Sequence, residues 1–109
     1  MIHVTFNRND DGTIHTFTLK GHAESGPYGH DLVCAGVSAV SFGAVNAIAD
    51  LCDTKMMVET KDDGGFLRCR VPDGLNHDTF EKVQLLLNGM LVSMKTIEDQ
   101  YSQFIRIDS

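Results

Sequence analysis

Residues 32–51 read LVCAGVSAVSFGAVNAIADL, and the spacing of their apolar side chains decides how the rest of the chain is organised. Val33, Val37, Val40, Ala44, Ile48 and Leu51 recur at steps of three and four, the stripe of a helix with one face turned to a core. Upstream the period changes to two. In IHVTFN, residues 2–7, Ile2, Val4 and Phe6 alternate with His3, Thr5 and Asn7. NDDG supplies a turn, and TIHTFTLK, residues 13–20, is again β-branched and aromatic, which predicts a hairpin.

Downstream, MMVET (56–60) and FLRCRV (66–71) flank KDDGG, a second hairpin with Leu67, Cys69 and Val71 on one face. Helical spacing returns from residue 78 in Phe80, Val83, Leu87, Met90, Met94, Ile97 and Tyr101, and Asp78 with Glu81 three residues on reads as a capping box. FIRI, residues 104–107, adds a short edge strand. The expected fold class is α+β: a single domain, 1–109, of order ββαββα, with two helices packed on one face of a mostly antiparallel sheet.

A chain of 109 residues can bury roughly two thirds of its unfolded surface without disulfides. Hydrophobic residues make up 42% and charged residues 22%, which excludes a disordered chain. MIHVTFNRND lacks the basic and apolar regions of an export signal, and no run of eighteen apolar residues occurs, so neither export nor a membrane is expected. Three cysteines without CxxC spacing suit reduced thiols and a cytoplasmic location. The net charge is −6, and Lys20, Arg68, Arg70, Lys82 and Lys95 are scattered along the sequence, which argues against direct nucleic-acid binding and suits a basic protein partner.

The reactive side chains gather in GHAESGPYGHDLVC, residues 21–34. With Asp31 as the N-cap, Cys34 lies in the first helical turn, where unpaired N–H groups and the helix dipole stabilise a thiolate. His22 ends the second strand pattern and is placed to exchange a proton with that thiol. From the residues alone, a nucleophilic cysteine and a small buried thiol at a helix start both remain open. A metal site built from His22, His30, Asp31 and Cys34 is the weaker third reading, because the spacing matches no finger or zincin pattern. Cys52 and Cys69 fall in phase with core positions, and His3, His15 and His77 read as surface residues. Gly21, Gly26 and Gly29 permit unusual backbone angles around a loop that Pro27 stiffens. Ser38 follows Cys34 by four residues on the same helical face, where it can bond near the site or back to the helix.

Taken together, GHA, a short loop, GHDLVCAGVSAV, FGAVNAI and, in the second helix, LLLNGMLVSMKTIEDQY resemble the ribosomal-processing cysteine proteases of the Prp or YsxB-like family across the whole chain. The resemblance implies an endopeptidase that removes the N-terminal extension of large-subunit ribosomal protein number twenty-seven, with that precursor as substrate and no cofactor. It implies Cys34 and His22 as the catalytic pair, beside which Gly21, Asp31 and Ser38 are read from the residues as supporting positions. It further implies a substrate-covering loop formed by Ala23, Glu24, Ser25, Gly26, Pro27, Tyr28, Gly29 and His30, and a homodimer. Pro27 and Gly36 are local variations that bear on loop stiffness and fine specificity. Asp31 is read as a helix cap in preference to a third catalytic residue. The rival function is an assembly factor that holds a ribosomal protein in the same groove without cutting it.

Overall fold

The computed structural model describes residues 1–21, 29–62 and 65–109 and, of residues 29–31, the backbone. Its elements are β1 (Ile2–Arg8), β2 (Ile14–Lys20), α1 (Gly29–Leu51), β3 (Met57–Thr60), β4 (Phe66–Arg70), α2 (His77–Tyr101) and β5 (Ile105–Asp108). The strands form one sheet in the order β3-β4-β2-β1-β5. Every pairing is antiparallel except β1 with β5, which is parallel. The α+β class and the largely antiparallel sheet are as the sequence predicts, with the short final strand joining the sheet edge.

The period-two pattern divides the sheet into two faces. Val4 pairs with Leu19 and Phe6 with Phe17, while Leu67 and Cys69 stand opposite Leu19 and Phe17, so one apolar face runs across the central strands. Val33, Val37 and Ile48 of α1 and Val83, Leu87 and Met94 of α2 close over this face and are buried with it. The Phe6 and Phe17 rings lie 6.1 Å apart at its centre. Burying each such side chain stabilises the fold by roughly 1.5–3 kcal/mol before the entropy of ordering it is counted.

At the β1–β2 end the register shifts between Asn7 and Arg8, and Gln84 of α2 takes over the backbone of Ile14. Its amide accepts from the Ile14 N–H and donates to the Ile14 carbonyl, both at 2.7 Å. Gln84 is itself buried, so a polar side chain is carried in the core because it satisfies two backbone groups there. The edge strand is tied down similarly, with the Ile107 N–H donating to Glu98 at 2.7 Å.

Three local expectations are corrected. α1 begins at Gly29, which puts Asp31 inside the first turn and Cys34 sixth in the helix. The cap of α2 is Asn76, whose side chain accepts from the Thr79 N–H at 2.9 Å, so Asp78 sits in the first turn as a charge favourable to the dipole. Leu51, assigned to the core stripe of α1, is 69% exposed, because the helix ends there and Asp53 turns the chain away at φ 49.

α1 runs antiparallel to α2: a Cβ at Gly36 near its start would stand 3.7 Å from Ile97 Cδ1 in the last turns of α2. The start of α1 therefore shares one end of the sheet with Gly21, Gly65 and the start of β1.

Candidate active site

Cys34 is half-buried on α1 and packs at the margin of the core. Its neighbours Val33 and Val37 are buried, which anchors this stretch of helix against the sheet. A helical side chain leans toward the N-terminus of its own helix, so the thiol of Cys34 is directed toward the first turn. The first four N–H groups of α1, from Gly29 to Leu32, have no acceptor within the helix. Thiol and donors thus share one helix start, with Cys34 a turn deeper than the sequence suggests.

The other two cysteines are in different surroundings. Cys69 is fully buried, and burial pushes its thiol up to about 11, which keeps it neutral and unreactive. Cys52 is half-buried against the core at the end of α1, its N–H bonded to the Ile48 carbonyl at 3.0 Å.

Gly21 is the last described residue before His22. Its φ is 103, a left-handed conformation, and a Cβ there would collide with the Met1 backbone carbonyl. Its N–H donates to the Gly65 carbonyl at 2.9 Å. Only glycine fits that pass, so Gly21 fixes the point from which the chain leaves the sheet. His22 and residues 23–28 lie outside the described residues, as do the side chains of Gly29, His30 and Asp31. The catalytic pairing of His22, residues 23–28 of the expected covering loop and, Cys34 apart, the side chains of the metal alternative therefore lie outside the described residues, whereas Gly29 and His30, expected in that loop, open α1.

Ser38, one turn beyond Cys34, is exposed. The serine that bonds back to the helix is Ser41, buried, whose hydroxyl donates to the Val37 carbonyl at 2.7 Å. Of the remaining histidines, His3 is exposed and His77 lies 3.1 Å from Glu81 on the surface. His15 is half-buried beside the Thr16 hydroxyl at 2.6 Å, a more enclosed setting than the sequence predicts.

A half-buried cysteine near the start of a core helix, with backbone donors one turn before it, suits a thiol hydrolase, and the chain is a cysteine protease. The family model for "Cysteine protease Prp" matches residues 1–106. The "Ribosomal processing cysteine protease Prp" of Bacillus subtilis (strain 168) is 42% identical, covering 98% of this chain and 96% of its own. That of Staphylococcus aureus is 44% identical, covering 99% and 98%. Crystal structures of the S. aureus protease superpose with TM-scores of 0.86, in complex with a substrate peptide, and 0.85, with a covalently linked product peptide, at 42% and 44% identity over 99% of this chain and 98% of theirs. The chain belongs to the cysteine protease Prp family.

Proposed function

We propose that this protein removes the N-terminal extension of large-subunit ribosomal protein number twenty-seven during ribosome maturation. The observation that carries this reading is the full-length identity to two ribosomal processing proteases.

In the proposed reaction the Cys34 thiolate attacks the scissile carbonyl, forming the C–S bond of a tetrahedral adduct. The imidazolium of His22 gives its proton to the leaving amine as the C–N bond breaks. Water then adds to the thioester with His22 as base, and the thiolate departs as the acid is released. The N–H groups that open α1 are the candidate oxyanion donors. The dipole weakens beyond the first turn, so a thiolate at the sixth helical position depends on the histidine more than on the helix. Asp31, third in α1, occupies a position where a carboxylate suits the dipole, and its role is to stabilise the helix start. Residues 23–28 cover the bound peptide, and Ser38 lines the approach.

A cytoplasmic homodimer completes the proposal. Phe42 of α1 and Leu85 and Val92 of α2 are 49%, 73% and 64% exposed. Ala39, Gly43 and Ala47 of α1 and Gly89 of α2 line a shallow groove between the helices. An apolar helical face of this kind marks an association surface, and a second copy is the occupant proposed. The test is incubation of the purified protein with the extended ribosomal protein and measurement of fragment masses. Two fragments that account for the precursor support the protease, and binding without cleavage would make the protein a non-catalytic assembly factor.

A further inference from the structure

The face of the sheet turned away from the helices collects cations that the sequence scatters. In register across four strands lie Phe66, Lys20, His3 and Arg106, a row about 15 Å long at the usual strand spacing. The next row holds Glu59, Arg68, Thr18, Thr5 and Asp108, and a third holds Met57, Arg70, Thr16 and Asn7. The side-chain contacts agree with this parity. Arg68 Nε donates to Thr18 Oγ1 at 3.4 Å, and Arg70 Nη2 reaches Met57 Sδ at 3.0 Å. Lys61 Nζ and Arg68 Cζ lie 4.5 and 5.1 Å from the Phe66 ring centre.

Five of the nine basic residues thus stand on or beside this face of a chain whose net charge is −6. Among the described residues the carboxylates near them are Glu59, 3.7 Å from Arg68, and Asp108, 3.9 Å from Arg106, with Asp62 in the β3–β4 turn. Both ion pairs are exposed, and such pairs hold their partners weakly in water. Most of the acidic charge lies elsewhere on the molecule, so a polyanion is attracted to this face and repelled from the rest.

We infer that the open face of the sheet is an RNA-binding surface, with Lys20, Lys61, Arg68, Arg70 and Arg106 taking backbone phosphates. Cations and hydroxyls spread over a sheet suit a nucleic-acid strand crossing several β-strands. An acidic peptide suits it less, because peptides dock on sheet edges or into apolar pockets. Phe66 and Met57, the large apolar side chains described on this face, are both contacted by cations. The Lys20 row borders the sheet end where Gly21 leads to His22, so an RNA-bound protein would hold its proposed catalytic edge close to the RNA.

The test is fluorescence anisotropy of a short fluorescein-labelled polyuridylate, titrated with full-length protein at about 50 mM salt and above. The parent should bind, with log K falling as log salt rises by about 0.7 per phosphate contacted. Combined Arg68→Gln, Arg70→Gln and Arg106→Gln substitutions should weaken binding at least about tenfold and reduce that slope by about two. Lys82→Gln with Lys95→Gln on α2 should leave both unchanged. Should the triple variant melt early, Arg106→Gln alone, at an exposed edge position, should still lower the slope. Cleavage of a short free peptide should match the parent in every variant, since none of these residues belongs to the catalytic pair. Absence of binding by the parent, binding indifferent to these arginines, or equal displacement by polyglutamate of matched charge would each overturn the inference.

Discussion

Cys34 and Cys69 carry the same group into opposite settings. Cys69 is sealed between sheet and helices with its thiol pushed up to about 11, whereas Cys34 is half-buried at a helix start. Iodoacetamide at neutral pH should therefore alkylate Cys34 and spare Cys69 in the folded protein, as peptide mass mapping would show. The raised value of Cys69 also makes folding pH-dependent. The native state keeps its proton above the usual thiol range, so stability is full below about 9 and falls as pH rises toward about 11. Cys69→Ala should flatten that alkaline loss in melting curves. At Gly21 a side chain meets both a left-handed φ and the Met1 carbonyl. Gly21→Ala should cost about 1–2 kcal/mol or more and slow cleavage by displacing His22. Gly36 is the opposite case: a Cβ there finds ordinary contact with Ile97 at 3.7 Å. Gly36→Ala should accordingly raise stability by up to about 1 kcal/mol, read as a higher melting temperature.

The elements follow from periodicity, and their ends do not. Both hairpins and both helical stripes are written in alternations of two and of three to four, because each element buries one face on one core. Helix starts depend on a single turn of backbone, and there the sequence offers competing signals. Asn76 and Asp78 are both good caps, and Asn76 takes the position. Near α1, the flanking glycines and Pro27 read as loop, yet Gly29 and His30 enter the helix. Cys34 consequently moves from the first turn to the second, and the proposed mechanism relies more on His22. Gln84 was not legible as a structural residue, since nothing in a helical stripe indicates that a polar position will serve a strand seventy residues away. Gln84→Leu should leave the Ile14 N–H and carbonyl unsatisfied and cost about 2–4 kcal/mol, measurable by urea denaturation.

At the scale of the whole molecule, strand order supplies what sequence distance conceals. β4 inserts next to β2, and β5 returns beside β1, so residues separated by up to about a hundred positions become neighbours in one row. Cys34 and Gly21 were legible as candidate positions, because they lie within one continuous stretch. The basic face was not, because its members come from different strands, although each takes the outward parity of its own pattern. α1 is long and apolar enough to cross a membrane by length and composition, yet its inward side closes the core and its outer side is left for the proposed second copy. Leu85→Glu with Val92→Glu should then convert a dimer to a monomer in sedimentation equilibrium. The central claim, a thiol protease acting through Cys34 on an extended ribosomal protein, is tested most directly by fragment masses from that precursor incubated with parent and with Cys34→Ala protein. The account predicts two complementary fragments from the parent and intact precursor from a Cys34→Ala variant that melts like the parent. Equal cleavage by the two proteins would contradict it.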